Sequence, residues 1–206
     1  MKSFIHFTVV IIIAMPVCQY IKADDTPLIS ALGDGYNYNI PEARTLGNLF
    51  TVADKPITIN SLGMYDDGPL GLNQSHSVGL WTNSGSLLAR ADFSPGIDGF
   101  ESNGFIYKNL ANPVVLQAGV SYVLGASYQS DSTDGVYIND STQYETWSPA
   151  VIFNGVARQT PDGADFEFPL YQVYGLSYVT SNALYIPEPA TILLFALGAS
   201  IIRKRK

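Results

Sequence analysis

The sequence predicts an all-β protein, an antiparallel two-sheet sandwich of the jelly-roll type. Gly, Asn, Ser, Thr and Tyr are abundant in the body of the chain, whereas the helix formers Lys and Glu are scarce. No stretch of the body keeps a helical period over three turns. Instead, many short alternating segments are separated by turn formers, which is typical of sandwiches.

One strand is predicted at residues 57–65, after residues 54–56 separate it from a strand at 47–53. Its apolar residues form two pairs of opposite parity: Ile57 with Ile59, and Leu62 with Met64. A strand cannot change face without a slip in register, so we expect a β-bulge near residues 60–61.

The clearest hairpin joins residues 76–81 to residues 87–93 through turn formers at 82–86. In its second strand, Arg90 and Asp92 face away from Leu87, Ala89, Ala91 and Phe93, and Leu88 shares their face, which is therefore not wholly polar. The other predicted strands are residues 47–53, 104–110, 114–117, 121–128, 136–138, 151–156 and 171–179.

The end of the chain has three parts in order. They are Pro187-Glu188-Pro189, an apolar run from Ala190 to Ile202, and the basic end Arg203, Lys204, Arg205 and Lys206. As a helix the run would reach roughly 20 Å, against a bilayer core of roughly 30 Å. We expect a short transmembrane helix with its basic end in the cytoplasm. A buried C-terminal helix, or a lipid-anchor signal using residues 181–183, is the alternative.

The start of the chain has the layout of a signal peptide. Lys2 supplies the charge, residues 4–17 are mostly apolar, and Ala23 is the small residue at the expected cut. The alternative, a lipoprotein anchored at Cys18, would need a small residue where Val17 stands. The predicted organisation is a signal helix at 1–23, a sandwich at 24–183 and a sorting segment at 184–206. After cleavage no cysteine would remain.

The tail resembles the PEP-CTERM sorting signal of exported bacterial proteins. This resemblance implies recognition by an exosortase, a membrane protease that cuts near Pro187 to Pro189, in a Gram-negative bacterium that makes exopolysaccharide. The middle of the chain resembles the β-sandwich domain DUF4082 over roughly residues 30–180. The motifs that carry this second resemblance are VGLW (78–81), GSLLA (85–89), FIY (105–107), PVVL (113–116) and AGVSYVLGA (118–126).

The body is acidic. Residues 24–186 contain five Lys and Arg and seventeen Asp and Glu, a net charge of −12. Nucleic-acid binding needs clustered cations, and so does docking on anionic lipid. The composition therefore argues against both kinds of partner.

Catalytic residues are not expected. His76 is the one histidine of residues 24–186, and without a Gly-x-Ser-x-Gly elbow we expect a solvated surface side chain rather than a triad member. Glycoside hydrolysis would need paired carboxylates, and nothing in the sequence pairs the candidates, which we expect to be surface acids. Those candidates are Glu101, Glu145 and Glu167, with Asp92 or Asp98.

Two weaker binding hypotheses remain. Asp131, Asp134 and Asp140 could supply calcium ligands, the one candidate cofactor, although Asp also forms turns without a metal. The aromatic residues near loops could stack on sugars, although such rings also pack sheet faces. These aromatic residues are Tyr36, Tyr38, Tyr144 and Trp147.

We therefore expect an exported, non-enzymatic protein of the cell surface or extracellular matrix. Its expected partners are signal peptidase, an exosortase and, transiently, the inner membrane. One alternative is a carbohydrate-binding module that contacts exopolysaccharide, and a second is a secreted glycoside-active enzyme.

Overall fold

The computed structural model describes residues 25–33, 35–140, 145–164 and 166–187. The predicted signal helix and the apolar run 190–202 lie outside these residues. In this part of the chain no helix is long and apolar enough to cross a membrane. The described strands are β1 Thr26–Pro27, β2 Ile29–Ala31, β3 Tyr36–Tyr38, β4 Arg44–Val52, β5 Ile57–Tyr65, β6 His76–Thr82, β7 Leu87–Phe93, β8 Phe100–Ser102, β9 Phe105–Leu116, β10 Ser121–Tyr128, β11 Val136–Asp140, β12 Thr146–Trp147, β13 Val151–Gln159, β14 Tyr171–Tyr174, β15 Leu176–Val179 and β16 Ser181–Pro187.

Two large antiparallel sheets form the sandwich. One has the strand order β1-β16-β5-β9-β8, and the other has the order β14-β13-β4-β10-β6-β7. A three-stranded sheet, β15-β11-β3, and a two-stranded sheet, β12-β2, complete the described residues. The all-β sandwich prediction is confirmed.

The main core contains residues from the inward faces of both large sheets. Phe50, Leu80 and Leu124 of the six-stranded sheet and Leu62 of the five-stranded sheet are all buried in it. Strand β10 also has the predicted face, because its four residues of that parity all belong to the main core. These four are Tyr122, Leu124, Ala126 and Tyr128.

The predicted bulge lies in the middle of β5. The register with β16 passes from Ile59 opposite Tyr185 to Ser61 opposite Leu184, which leaves Asn60 as the extra residue. The register with β9 also shifts here, from Ile59 opposite Val114 to Ser61 opposite Asn109. The residues on both sides of Asn60 can therefore face the core, and all four predicted apolar residues are buried there. The segments predicted as two strands at 104–110 and 114–117 belong to the single strand β9.

The end of the described chain differs from the expected pattern. The segment 171–179 is divided at Gly175, which has a φ of 77°. Strand β16 then lies between β1 and β5 and runs across the predicted domain boundary at residue 183. A second apolar cluster includes residues of β5, β9 and β16. Its buried members are Ile29, Tyr65, Phe105, Tyr107, Val179 and Leu184.

Three glycines form a row across the outer face of the six-stranded sheet. Gly47 of β4 is opposite Gly125 of β10, which in turn is opposite Gly79 of β6. A Cβ at Gly47 would overlap the carbonyl of Leu124, and one at Gly79 would overlap the ring of Trp81. The row therefore lets neighbouring backbones approach closely and lets an aromatic ring lie flat on the sheet.

The first prediction tests this close approach. Gly47→Ala should lower the free energy of unfolding by about 2 kcal/mol, because the new methyl group meets backbone that cannot move without breaking the strand pairing. Urea unfolding followed by tryptophan fluorescence measures this loss. Gly68→Ala is the matched control, since a Cβ there meets nothing within 4 Å, and it should change stability by less than about 0.5 kcal/mol. Equal losses for the two variants would contradict the packing argument.

Candidate functional site

The side chains of His76 and Asp134 form a buried hydrogen-bonded contact. The His76 Nε2 atom lies 2.8 Å from Asp134 Oδ2, and Nδ1 lies 2.8 Å from the carbonyl oxygen of Ser127. A carbonyl can only accept, so Nδ1 donates to it. The side chains of His76 and Asp134 are 0% and 2% exposed. Both ring nitrogens of His76 therefore have an oxygen partner inside the protein.

The carboxylate of Asp134 has a full set of donors. Its Oδ1 accepts from the backbone and side-chain nitrogens of Asn73, and its Oδ2 also accepts from the amide of Gln74. Burial alone would raise the pKa of Asp134. The hydrogen bonds from His76, Asn73 and Gln74 outweigh it and hold that pKa below its usual value.

The expectation of a solvated surface histidine is therefore wrong. The oxygen partners of His76 come from residues 127 and 134, more than fifty positions along the chain. Of the calcium candidates, Asp134 has both oxygens engaged, Asp131 is exposed with a φ of 53°, and the side chain of Asp140 is outside the description. Among the described residues, no group of three His, Cys, Asp or Glu side chains could hold a metal ion.

A polar depression opens beside this pair on the outer face of the six-stranded sheet. Its volume is about 540 Å³. We call it the Arg90 depression, and its lining includes Ser75, Ser77, Arg90, Asp92, Gln129 and Phe166. Arg90 and Asp92 are on the outward parity of β7, as the sequence predicts, and Ser77 is opposite Asp92 on β6.

Three side chains of the depression are bonded to one another. Arg90 Nε donates to Asp92 Oδ1 at 2.6 Å, and Ser77 Oγ donates to the same oxygen at 2.6 Å. Arg90 Nη2 donates to Ser77 Oγ at 3.0 Å. Partial burial favours neutral Asp92, but the hydrogen bonds from Ser77 and Arg90 and the charges of Arg90 and Lys108 lower its pKa. Asp92 is therefore an ionised acceptor at neutral pH.

An aromatic wall closes one side of the depression. The guanidinium carbon of Arg90 lies 4.2 Å from the ring centroid of Phe166. The Phe166 ring lies 5.2 Å from that of Trp81, which covers Gly79. Phe166 belongs to a segment that we call the strap, residues 161–164 and 166–170, which connects β13 to β14. At its far end, Arg158 donates to the carbonyl of Leu170 at 3.0 Å.

The candidate acids for glycoside hydrolysis lie in unlike surroundings. Asp98 pairs with Lys108 at 2.6 Å, and hydrogen bonds from Lys108 and the Ser94 amide lower its pKa. Glu101 and Glu167 are exposed. Glu145 is buried, so the surface-acid expectation is wrong for this residue. Its carboxylate accepts hydrogen bonds from the side chains of Asn139, Trp147 and Ser177.

The candidate aromatic residues also lie in different parts of the structure. Tyr36 and Tyr38 are exposed on β3, at one edge of the small three-stranded sheet. Trp147 stacks between Phe50 at 5.9 Å and Phe153 at 5.1 Å, and its indole donates to Glu145. Tyr144 is outside the described residues.

Of the predicted sorting motif, only Pro187 is described. It is the last residue of β16 and lies opposite Ile57 of β5. It also lines a hollow of about 290 Å³ with residues 53–57, Pro149, Ala150 and Tyr185. Glu188, Pro189, the apolar run and the four basic residues lie outside the description.

The Arg90 depression offers donors, acceptors and an apolar wall, which suits reversible binding of a polar molecule. The parity of β7 was enough to place Arg90 and Asp92 on the outer face. The same parity argument predicts an outward position for Ser77, because it directly precedes inward-facing Val78 on β6. Phe166 carried no such signal, because the strap has no strand period.

The family described as "Domain of unknown function (DUF4082)" matches residues 32–180. No curated protein matches the chain.

The second prediction concerns the buried contact between His76 and Asp134. Asp134→Asn should lower the free energy of unfolding by about 3 kcal/mol at neutral pH, because an amide cannot accept all of the hydrogen bonds that the carboxylate receives from Asn73, Gln74 and His76. The free energy of unfolding, measured in urea, tests this. Asp131→Asn, an exposed change in the same loop, is the control and should cost less than about 0.5 kcal/mol.

The pH dependence of this difference has a defined sign. The folded pKa of Asp134 lies below the unfolded value of about 3.9. At a pH between the folded and the unfolded pKa, the unfolded chain binds more protons than the folded protein. The stabilisation that ionised Asp134 contributes is therefore complete only above the unfolded pKa. It is lost as the pH falls through the folded pKa. The gap between wild type and Asp134→Asn should therefore narrow in acid, and a gap that widens there would contradict the assignment.

Proposed function

The chain belongs to the DUF4082 family, and from that premise we propose that it is an exported, non-enzymatic domain of the bacterial surface or extracellular matrix. A PEP-CTERM tail would deliver it, with signal peptidase and an exosortase as processing partners and the inner membrane as a temporary anchor. The host would be a bacterium that produces exopolysaccharide. The jelly-roll type of the sandwich is part of the same proposal.

The position of Pro187 is the observation that carries the proposal. This residue ends β16 within the five-stranded sheet, and the apolar run begins only three residues later at Ala190. Three extended residues span roughly 10 Å. If the run enters a bilayer, the sandwich must therefore lie directly against the membrane with the end that contains Pro187 facing it.

The distribution of charge supports this orientation. We call the end of the sandwich near Pro187 the Pro187 end. Backbone hydrogen bonds and strand pairing bring four segments together there, residues 53–56, 82–86, 117–120 and 148–150. These segments contain one carboxylate and one cation, Asp54 and Lys55. The opposite end, which we call the acidic end, has six carboxylates and no Lys or Arg in residues 40–43, 66–75, 94–99 and 129–135. Anionic lipid would repel the acidic end and tolerate the Pro187 end.

The chemistry of the candidate acids supports a non-enzymatic role. A glycosidase needs a general acid with a raised pKa. The pKa values of Asp92 and Asp98 are instead lowered by their basic partners, and Glu145 is enclosed by three donors inside the protein.

Strand order supports the jelly-roll type. In the orders β1-β16-β5-β9 and β4-β10-β6-β7, successive members of these eight strands lie in opposite sheets at every step except the β6–β7 hairpin, a pattern that two Greek keys give. Such sandwiches include lectin domains, which keeps a carbohydrate-binding module as the second candidate. Tyr38 favours it, since this exposed ring lines a hollow of about 330 Å³ together with Asn39, Asp131 and Thr133.

The third prediction tests the orientation in the membrane. The full chain with Cys18→Ser is given one new cysteine, either Ala118→Cys at the Pro187 end or Thr133→Cys at the acidic end. Each protein is labelled with a fluorophore and incorporated into phosphatidylethanolamine–phosphatidylglycerol vesicles that carry a headgroup quencher. The label at residue 118 should be quenched strongly and the label at residue 133 weakly, because the two positions lie at opposite ends of the sandwich.

Equal quenching of the two labels would contradict the orientation. A chain that stays in the supernatant after the vesicles are pelleted would contradict the membrane anchor itself. Mass spectrometry of the mature protein from its host tests export separately. We expect an N-terminus at Asp24 and a C-terminus near Pro187, and an uncut chain in the cytosol would overturn the proposal.

A further inference from the structure

The Arg90 depression holds an unused acceptor beside an unused donor. Asp92 Oδ1 already accepts from Ser77 and Arg90, whereas Asp92 Oδ2 accepts from none of the described residues. Arg90 donates through Nε and Nη2, so Nη1 donates to none of them. The two side chains are 45% and 65% exposed, so both free groups are accessible to a ligand.

These groups are fixed before any ligand arrives. Ser77 bonds to both charged side chains, and Phe166 supports the guanidinium from one side. The Ser77 amide in turn donates to Ser127 Oγ at 3.1 Å. The backbone carbonyl of the same serine accepts a hydrogen bond from His76 Nδ1. A preorganised donor and acceptor lose little entropy on binding.

The chemistry of the pair selects the ligand. A hydroxyl group both donates and accepts, so one hydroxyl can donate to Asp92 Oδ2 while its neighbour accepts from Arg90 Nη1. Adjacent hydroxyls on a ring present this pattern, and the C–H groups of such a ring suit the apolar wall of Phe166. A volume of about 540 Å³ accommodates a short oligosaccharide.

The charge of the depression and of the protein indicates whether the oligosaccharide is neutral or anionic. Arg90 and Asp92 neutralise one another, and the body as a whole has a net charge of −12. An anionic sugar would meet the exposed carboxylate of Asp92 and the general repulsion of an acidic protein. A neutral sugar meets neither obstacle.

From these observations we infer that the Arg90 depression is a binding site for neutral glycans, with Asp92, Arg90 and Ser77 contacting vicinal hydroxyls and Phe166 contacting the ring. The site lies apart from Tyr36 and Tyr38 and needs no part of the tail. Its failure would therefore leave the proposed sorting untouched. Bound at the outer face of the sheet, a glycan would lie beside the sandwich and not beneath the Pro187 end.

The fourth prediction is a binding experiment. The ¹⁵N-labelled protein is titrated with cellotetraose, maltotetraose, mannotetraose and, as the anionic comparison, trigalacturonate. At least one neutral tetrasaccharide should shift the Arg90 side-chain Nε–H signal and the backbone signals of Ser77 and Gln129 at millimolar concentration. Trigalacturonate should leave them unchanged.

Two variants and a control locate the site. Asp92→Ala and Phe166→Ala should each weaken binding about tenfold or more, because each removes one of the two contact types. Asp54→Ala removes an acid at the Pro187 end and should leave binding unchanged. The melting temperature of each variant shows whether it is folded. If one variant does not fold, the titration of the wild-type protein with the neutral and anionic sugars still tests the proposed site.

Three outcomes would overturn the inference. The first is that none of the three neutral tetrasaccharides shifts the signals of the depression. The second is binding that persists with full affinity in folded Asp92→Ala and Phe166→Ala, for example with shifts near Tyr36 and Tyr38. The third is binding of trigalacturonate in preference to the neutral sugars.

Discussion

The structure depends on one extra residue in the middle of β5. Against β16 the pairing passes from Ile59–Tyr185 to Ser61–Leu184, so Asn60 is the extra residue. Against β9 it passes from Ile59–Val114 to Ser61–Asn109, so residues 110–113 of β9 also lie outside the pairing. Without that shift, the period of two would turn either the apolar pair before Asn60 or the pair after it away from the core. Because of the bulge, apolar side chains face the core at both ends of this nine-residue strand. It also sets the register of β16 and so fixes Pro187 opposite Ile57.

Alternation in the sequence was sufficient where apolar residues recur at every second position along a strand. Strands β5, β7 and β10 begin and end at the predicted residues, and the change of parity in β5 revealed its bulge. The same reasoning failed for β16, in which Ser181 to Tyr185 are all buried. Its buried residues include Ser181 and Asn182, so polar side chains hide the apolar pattern at the start of this strand. The short strands β1, β2, β3, β8 and β12 are too brief to show any period.

Much less of the candidate site could be predicted. The outward parity of Arg90 and Asp92 follows from local sequence, and so does the acidity of the loops. The burial of His76 and Glu145 does not, because their partners are contributed by other strands and loops. His76 receives its acceptors from residues 127 and 134, and Glu145 receives a donor from Ser177. A single titratable residue in a turn-rich sequence looks solvated until such distant partners are known.

The aromatic wall of the depression follows from the glycine row. Gly47, Gly125 and Gly79 place no side chains on the centre of the outer sheet face, so the ring of Trp81 can lie there and Phe166 can pack against it. Arg90 is the next residue in the same row and contacts Phe166 through its guanidinium. The geometry of Arg90, and through it that of Asp92, is thus fixed by backbone packing of β4, β10 and β6. A site built in this way belongs to the sheet itself, although one of its walls comes from a connecting segment.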